Sequence, residues 1–156
     1  MATWTESTKT QQGRDERTPS QVVLVVDDEE AVRAFICEAL TQAGYRTTHA
    51  GDGREAIRVL LSRRVDLLIT DLLMPEQDGL ETVLYVRKHF PTLNVIAISG
   101  GDPAYLSVAR KLGARALLRK PFSANELAVA VDSICPPASH SGSGMPGAEE
   151  DSASQG

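Results

Sequence analysis

The stretch "DLLITDLLMP" (residues 66–75) places one carboxylate, Asp71, inside an otherwise apolar run. A short run of this kind, bounded by polar residues, is typical of a strand that is buried on both faces of a parallel sheet. An ionised side chain bordered by leucines costs free energy to bury unless a cation or hydrogen bonds compensate it. The stretch therefore predicts a buried strand that ends at a polar site, and the rest of the chain must supply the groups that face Asp71.

Strand and helix patterns alternate along the chain on both sides of this stretch. Strands are predicted at residues 22–26, 45–49, 65–70, 94–99 and 115–119. Helix signals follow the strands, and they include the N-cap residues Asp52 and Asp102, the capping box "SANE" at residues 123–126 and the stop residues Gly44 and Gly113. This alternation predicts an α/β fold: a doubly wound five-stranded parallel sheet of order 2-1-3-4-5, flavodoxin-like, with helices on both faces.

The globular part is predicted to span residues 21–135. Residues 1–20 and 136–156 are poor in apolar side chains, so we predict a disordered N-terminal tail and a disordered acidic tail rich in Ser, Gly and Pro. No apolar run approaches the ~20 residues that span a bilayer, and the N-terminus has no apolar signal region. We therefore expect a cytoplasmic protein with no membrane partner, in which Cys37 and Cys135 do not form a disulfide framework.

The charge distribution argues against direct binding to nucleic acid. Residues 21–135 carry 13 basic and 15 acidic side chains, a net charge of −2, and no basic stripe stands out. Residues 136–156 add three acids and no Lys or Arg. Proteins that bind the phosphate backbone carry clustered Lys and Arg instead, so no nucleic acid partner is expected.

Polar side chains stand at the ends of four predicted strands. Strand one ends in Asp27 and Asp28, strand three in Asp71, strand four in Ser99, and strand five in Lys120. In the order 2-1-3-4-5 these four strands are consecutive neighbours, and their carboxyl ends meet at one edge of the sheet, where ligands of such folds bind. The five side chains are therefore predicted to converge.

The chemistry of this set favours phosphoryl transfer. Three crowded carboxylates repel one another and recruit a hard divalent cation with oxygen ligands, for which Mg²⁺ is the abundant choice. A metal ion and the Lys120 ammonium neutralise phosphoryl oxygens, while a carboxylate such as Asp71 is a suitable attacking nucleophile. Ser99 supplies a hydroxyl beside them.

Each of these residues also has a plain structural interpretation. Taken singly, Asp28 is typical of a helix N-cap, Asp71 and Ser99 of turns, and Lys120 of an exposed loop. Residues 29–30, both Glu, suit a solvated first helical turn. The joint pattern favours the functional interpretation, because four strand ends each deliver a group that the reaction needs.

Four motifs in order resemble the receiver domain of two-component response regulators: "VLVVDDEEAVR", "LLITDLLMPEQDGLE", "VIAISG" and "LLRKPF". The resemblance covers nearly all of residues 21–135. It implies a protein that accepts a phosphoryl group from a sensor histidine kinase, or from a histidine phosphotransfer protein, with Mg²⁺ as cofactor. It also implies signalling through an unidentified downstream protein partner, as a monomer or weak dimer, and no enzymatic activity beyond the domain's own phosphorylation and dephosphorylation.

The resemblance assigns the metal site and the acceptor. Asp71 is the implied phosphoacceptor. Asp28 and Asp71 are the implied direct metal ligands, together with the backbone carbonyl of Leu73, and Asp27 is expected to act partly through water.

The resemblance also assigns the groups around the phosphoryl site. Ser99 is the implied hydroxyl residue, which moves toward the phosphoryl group on activation. Lys120 is the implied partner of the phosphoryl group. Pro121 matches a proline that is expected to be cis. Two features depart from the family: many receivers carry an aromatic residue where this chain has Leu117, and no output domain is recognisable after Cys135.

Two other functions remain open at this point. A phosphatase or hydrolase with an aspartyl-phosphate nucleophile usually carries a second aspartate two residues after the first, and here that position is Leu73. A degenerate receiver that acts as a constitutive interaction module would not need the complete set of Asp27, Asp28, Asp71 and Lys120.

Overall fold

A computed structural model of the 156-residue chain describes residues 21–74 and 79–136. Its strands are β1 (Val22–Val26), β2 (Arg46–Ala50), β3 (Leu67–Asp71), β4 (Asn94–Ser99) and β5 (Ala116–Arg119). Its helices are α1 (Glu30–Gln42), α2 (Gly53–Ser62), α3 (Gly79–His89), α4 (Pro103–Lys111) and α5 (Ala124–Ile134). The strands form one parallel sheet of order β2-β1-β3-β4-β5, which confirms the predicted topology.

Two apolar layers cover the sheet because alternate residues of each strand point to opposite faces. Leu24 and Val26 of β1 belong to the layer that α2, α3 and α4 complete. Val23 and Val25 belong to the layer that α1 and α5 complete, with Ile36 among its largest buried side chains. Burial on both faces explains why β1, β3 and β4 are apolar runs rather than alternating patterns.

The predicted strand bounds need small corrections. The bounds of β1 and β4 are as predicted, whereas β2 and β5 begin one residue later than predicted and β3 begins two residues later. The end of β3 moves from Thr70 to Asp71, because Asp71 is paired with Ile98 in the ladder to β4. The residue that carries this polar side chain therefore belongs to the strand itself. The two predicted tails, residues 1–20 and most of 136–156, lie outside the described residues.

The predicted capping residues and glycine stop residues are found at the helix ends. The Asp52 carboxylate accepts a hydrogen bond from an N–H of the first turn of α2 (2.8 Å), and Asp102 does the same for α4 (2.9 Å). Ser123 forms the complete capping box of α5. Gly44 and Gly113 have φ values of +103° and +105°, a backbone conformation that favours glycine.

The described residues include no helix with the length and apolarity needed to cross a bilayer. Cys37 is partly buried, Cys135 is buried, and both are free thiols. Phe35 of α1 and Leu84 of α3 are apolar but 42% and 52% exposed.

The structure leaves no room for a side chain at Gly79. A Cβ atom there would lie 2.0 Å from the carbonyl O of Asp71 and 2.5 Å from the Cα of Leu72, and both of these are backbone atoms. We predict that Gly79→Ala lowers the free energy of unfolding by about 2–3 kcal/mol, since the end of β3 must shift to make room.

Gly51→Ala is the matched control, because the nearest atoms to its Cβ would be side-chain ends of Arg33 (3.4 Å) and Glu55 (3.8 Å). It should change stability by less than about 0.5 kcal/mol. Urea unfolding measures both variants. Equal stability of the two would show that Gly79 is not held against β3.

Candidate functional site

The predicted polar residues meet at the carboxyl edge of the sheet. Asp27 follows β1 directly, Asp71 is the last residue of β3, and Lys120 follows β5. Carboxylate oxygens of Asp27, Asp28 and Asp71 all lie within 4.8 Å of one another. The adjacency of β1 and β3 in the sheet brings these acids together although more than forty residues separate them in the chain.

Asp27 is completely buried, and its backbone and side chain are both held. Its Oδ1 accepts a hydrogen bond from the N–H of Glu29 (2.9 Å), and its carbonyl O accepts one from Nη1 of Arg33 (2.7 Å). Its Oδ2 pairs with the Lys120 ammonium at 3.1 Å. Burial raises the pKa of Asp27, and the Glu29 N–H and Lys120 offset only part of that rise.

Asp71 is 3% exposed, and its two oxygens have different partners. Oδ1 accepts a hydrogen bond from the N–H of Leu73 (3.1 Å), and Oδ2 accepts one from Nζ of Lys120 (3.1 Å). The turn after β3 is fixed by Gly79, whose N–H donates to the carbonyl O of Leu72 (3.1 Å). The carboxylate is therefore held from two sides.

Lys120 is the positive centre of the cluster. Its Nζ lies 3.1 Å from Oδ2 of Asp27, 3.1 Å from Oδ2 of Asp71 and 3.4 Å from Oε1 of Glu29. Burial lowers the pKa of Lys120, but the hydrogen bonds and charges of Asp27 and Asp71 outweigh burial, so its pKa lies above the ordinary value. The Lys120–Pro121 peptide bond is cis, as predicted.

Asp28 differs from the other two aspartates because it is exposed. The N-cap of α1 is Glu29 rather than Asp28, so capping does not explain Asp28. Within residues 21–74 and 79–136, no hydrogen bond or ion pair engages its carboxylate. Asp28 instead lines an open cavity of about 380 Å³ together with Asp71, Leu73 and Lys120.

Ser99 lies on the other side of Asp71. It is completely buried at the end of β4, and its Oγ accepts a hydrogen bond from the N–H of Gly101 (3.2 Å). Its carbonyl O accepts a hydrogen bond from the N–H of Lys120 (3.0 Å), which joins the ends of β4 and β5. Gly100 and Gly101 line the same cavity as Asp71.

Three contributors to the site were missed by the sequence interpretation. Glu29 is solvated, as predicted, but it also contacts Lys120; Arg33 holds the backbone of Asp27; and Gly79 packs against the backbone of Asp71.

The comparisons with known proteins agree with this geometry. Residues 23–132 match the family model described as "Response regulator receiver domain". The chain belongs to that family. Receiver domains are signalling domains of two-component systems that accept phosphoryl groups from histidine kinases and bind Mg²⁺ in an acidic pocket.

Individual relatives support the same assignment. The probable chemotaxis protein CheY of Rhizobium etli is 34% identical over 116 residues, which cover 72% of this chain and 90% of that protein. The response regulator MprA of Mycolicibacterium vanbaalenii is 38% identical over 106 residues, which cover 67% of this chain and 46% of that protein. This receiver chain thus spans less than half of MprA.

A solved structure shares the fold. The crystal structure of the receiver domain of NtrX from Brucella abortus aligns with a TM-score of 0.69 and 30% sequence identity, over 71% of this chain and 95% of that one. The fold of this receiver domain is therefore shared with a solved receiver domain.

Proposed function

We propose that Asp71 accepts a phosphoryl group, in the presence of Mg²⁺, from the phosphohistidine of a sensor histidine kinase or of a histidine phosphotransfer protein. In this proposal the receiver works in the cytoplasm and signals by changing its affinity for a downstream protein. The observation that carries the proposal is the placement of the Asp71 carboxylate within 4.8 Å of the Asp27 and Asp28 oxygens and 3.1 Å from the Lys120 ammonium.

The donor set fits a divalent cation. Three carboxylates face one ammonium, so the cluster keeps an excess of negative charge. Oxygen ligands of this kind suit Mg²⁺, which also keeps several waters. Asp28 and Asp71, with the Leu73 carbonyl, would hold the ion directly, and Asp27 would act partly through water. When bound, Mg²⁺ neutralises charge on the transferring phosphoryl group.

Three side chains of this protein have separate roles in the proposed phosphoryl transfer. A carboxylate oxygen of Asp71 attacks phosphorus, so that a P–O bond forms while the P–N bond to the donor histidine breaks and the imidazole leaves. The Lys120 ammonium, already 3.1 Å from Asp71 Oδ2, stabilises the negative charge on the phosphoryl oxygens. The Ser99 hydroxyl, whose proton has no acceptor among the described residues, is available to donate to one of those oxygens.

An enzyme that hydrolyses external phosphate esters is not favoured by this site. The position where such an enzyme needs a general acid carries Leu73, which is 37% exposed at the rim of the cavity. The apolar side chain supplies no proton to a leaving group.

The first prediction concerns the acceptor. Incubation with acetyl phosphate and Mg²⁺ should add one phosphoryl group to the full chain, and Asp71→Asn should reduce labelling to the background level. EDTA should also abolish labelling, because the carboxylates repel an incoming phosphate unless a cation is present. Intact-mass spectrometry measures the adduct.

Asp52→Asn is the matched control, because Asp52 is a helix-capping aspartate outside the cluster. It should be labelled like the wild type. Labelling that persists in Asp71→Asn, or that proceeds equally in EDTA, would contradict the proposed site.

The second prediction concerns the switch, which we propose moves residues 99–101 toward the phosphoryl group. A ring at position 117 would fill the vacated space, whereas Leu117 is smaller and is only partly buried beside the apolar layer of α2, α3 and α4. Phosphorylation should therefore perturb the outer face of α4 and β5 only modestly. We expect larger amide shifts around Tyr105, Leu106 and Arg115 in Leu117→Tyr than in wild type on addition of beryllofluoride, which stands in for the phosphoryl group. Equal or smaller shifts would show that the switch does not depend on a ring.

A further inference from the structure

A cluster of arginines lies at the amino edge of the sheet, opposite to the phosphorylation site. Arg46 begins β2 and is paired with Val22 of β1, while Arg63 and Arg64 follow α2. These three arginines, which we call the arginine cluster, are exposed and surround a cavity of about 370 Å³ together with Val22 and Thr47. The proposed phosphotransfer function uses none of them.

The arginine cluster carries uncompensated positive charge. Nε of Arg64 lies 3.2 Å from Oδ1 of Asp66, and Oδ2 of Asp66 accepts a hydrogen bond from the N–H of Val22 (2.8 Å), so both oxygens of this carboxylate are engaged. Across residues 21–74 and 79–136, neither Arg46 nor Arg63 forms an ion pair. An anionic group therefore fits this cavity, although the receiver core as a whole is negatively charged.

The C-terminal end of the described chain is held beside this cluster. The Tyr45 hydroxyl lies 2.6 Å from Oδ1 of Asp132 and 2.8 Å from the carbonyl O of Cys135, and Tyr45 is buried next to Arg46 in the sequence. This contact places the end of α5 at the amino edge of β2. The described chain therefore ends at the amino edge of the sheet, where the arginine cluster also lies.

The following segment has complementary charge. Residues 136–156 contain the acids Glu149, Glu150 and Asp151 in succession and no Lys or Arg. Thirteen residues lie between Cys135 and Glu149, and an unstructured chain of about that length would span roughly 20 Å on average. The acids can therefore reach the arginine cluster without distortion of the receiver domain.

We propose that residues 149–151 dock on the arginine cluster of the same molecule. The tether raises the local concentration of the acids to the millimolar range, which compensates for the weakness of individual exposed ion pairs. Because the pairs are exposed, the docking is sensitive to salt. It buries little apolar surface, and it does not depend on phosphorylation of Asp71.

The test compares the full chain with a variant of equal length, Glu149→Gln/Glu150→Gln/Asp151→Asn, by amide chemical shifts. At about 0.01 M salt, where charges act over about 30 Å, the variant should shift the signals of Arg46, Thr47, Arg63 and Arg64. At about 1 M salt, where the range falls to about 3 Å, the two proteins should give the same signals. Arg110 and Lys111, a basic pair at the end of α4, serve as the internal control and should not shift.

A reciprocal variant tests the other partner. Arg63→Gln/Arg64→Gln should shift the amide signals of residues 149–151 at low salt, and dilution of the wild-type protein should leave all these signals unchanged. Unchanged arginine signals in the acid-neutral variant, or equal shifts at Arg110 and Lys111, would overturn the proposal. Signals that change on dilution would overturn it as well, since they would place the acids of one molecule on the arginines of another.

Discussion

The ion pair between the Lys120 ammonium and two buried carboxylates is the interaction on which the site depends. Nζ of Lys120 lies 3.1 Å from both Asp27 Oδ2 and Asp71 Oδ2, and both aspartates are almost fully buried. Two carboxylates side by side in a low-dielectric environment cost several kcal/mol without a cation. The sheet order makes the pairing possible, because it places β1 beside β3 and brings β5 close enough for Lys120 to reach both acids.

The single positive charge of Lys120 does not neutralise the carboxylates of this cluster. The remaining negative charge affects both the stability of the domain and its proposed function. Asp28 adds a third carboxylate within 4.8 Å, and Glu29 approaches the same ammonium at 3.4 Å. In the proposed function, this excess of negative charge would favour a divalent cation, and the cation would let a phosphoryl group approach Asp71. In this account, the excess negative charge destabilises the folded protein when no metal is bound. The same charge makes the site selective for a metal and a phosphoryl group.

The fold and the convergence of the acids could be predicted because they follow from local patterns and one topological rule. Short apolar runs predicted every strand except the largely polar β2, and the polar residues at the ends of the other four strands predicted the edge where Asp71 and Lys120 meet. The contact of Glu29 with Lys120, the support of Asp27 by Arg33 and the packing of Gly79 on Asp71 could not be predicted, since they depend on distances between elements. The end of β3 was misplaced by one residue because a charged side chain normally ends a buried strand, whereas Asp71 keeps its backbone pairing with Ile98.

The central claim is that a divalent cation completes the charge balance that Lys120 begins. Thermal unfolding with and without MgCl₂, in wild type and in Lys120→Met, tests it most directly. Mg²⁺ at 100 times its dissociation constant should stabilise the wild type by about 2.7 kcal/mol. The lysine variant should be less stable without metal, by about 3 kcal/mol, and should gain at least as much from Mg²⁺ as the wild type does. Melting temperatures that do not respond to Mg²⁺ in either protein would contradict the account.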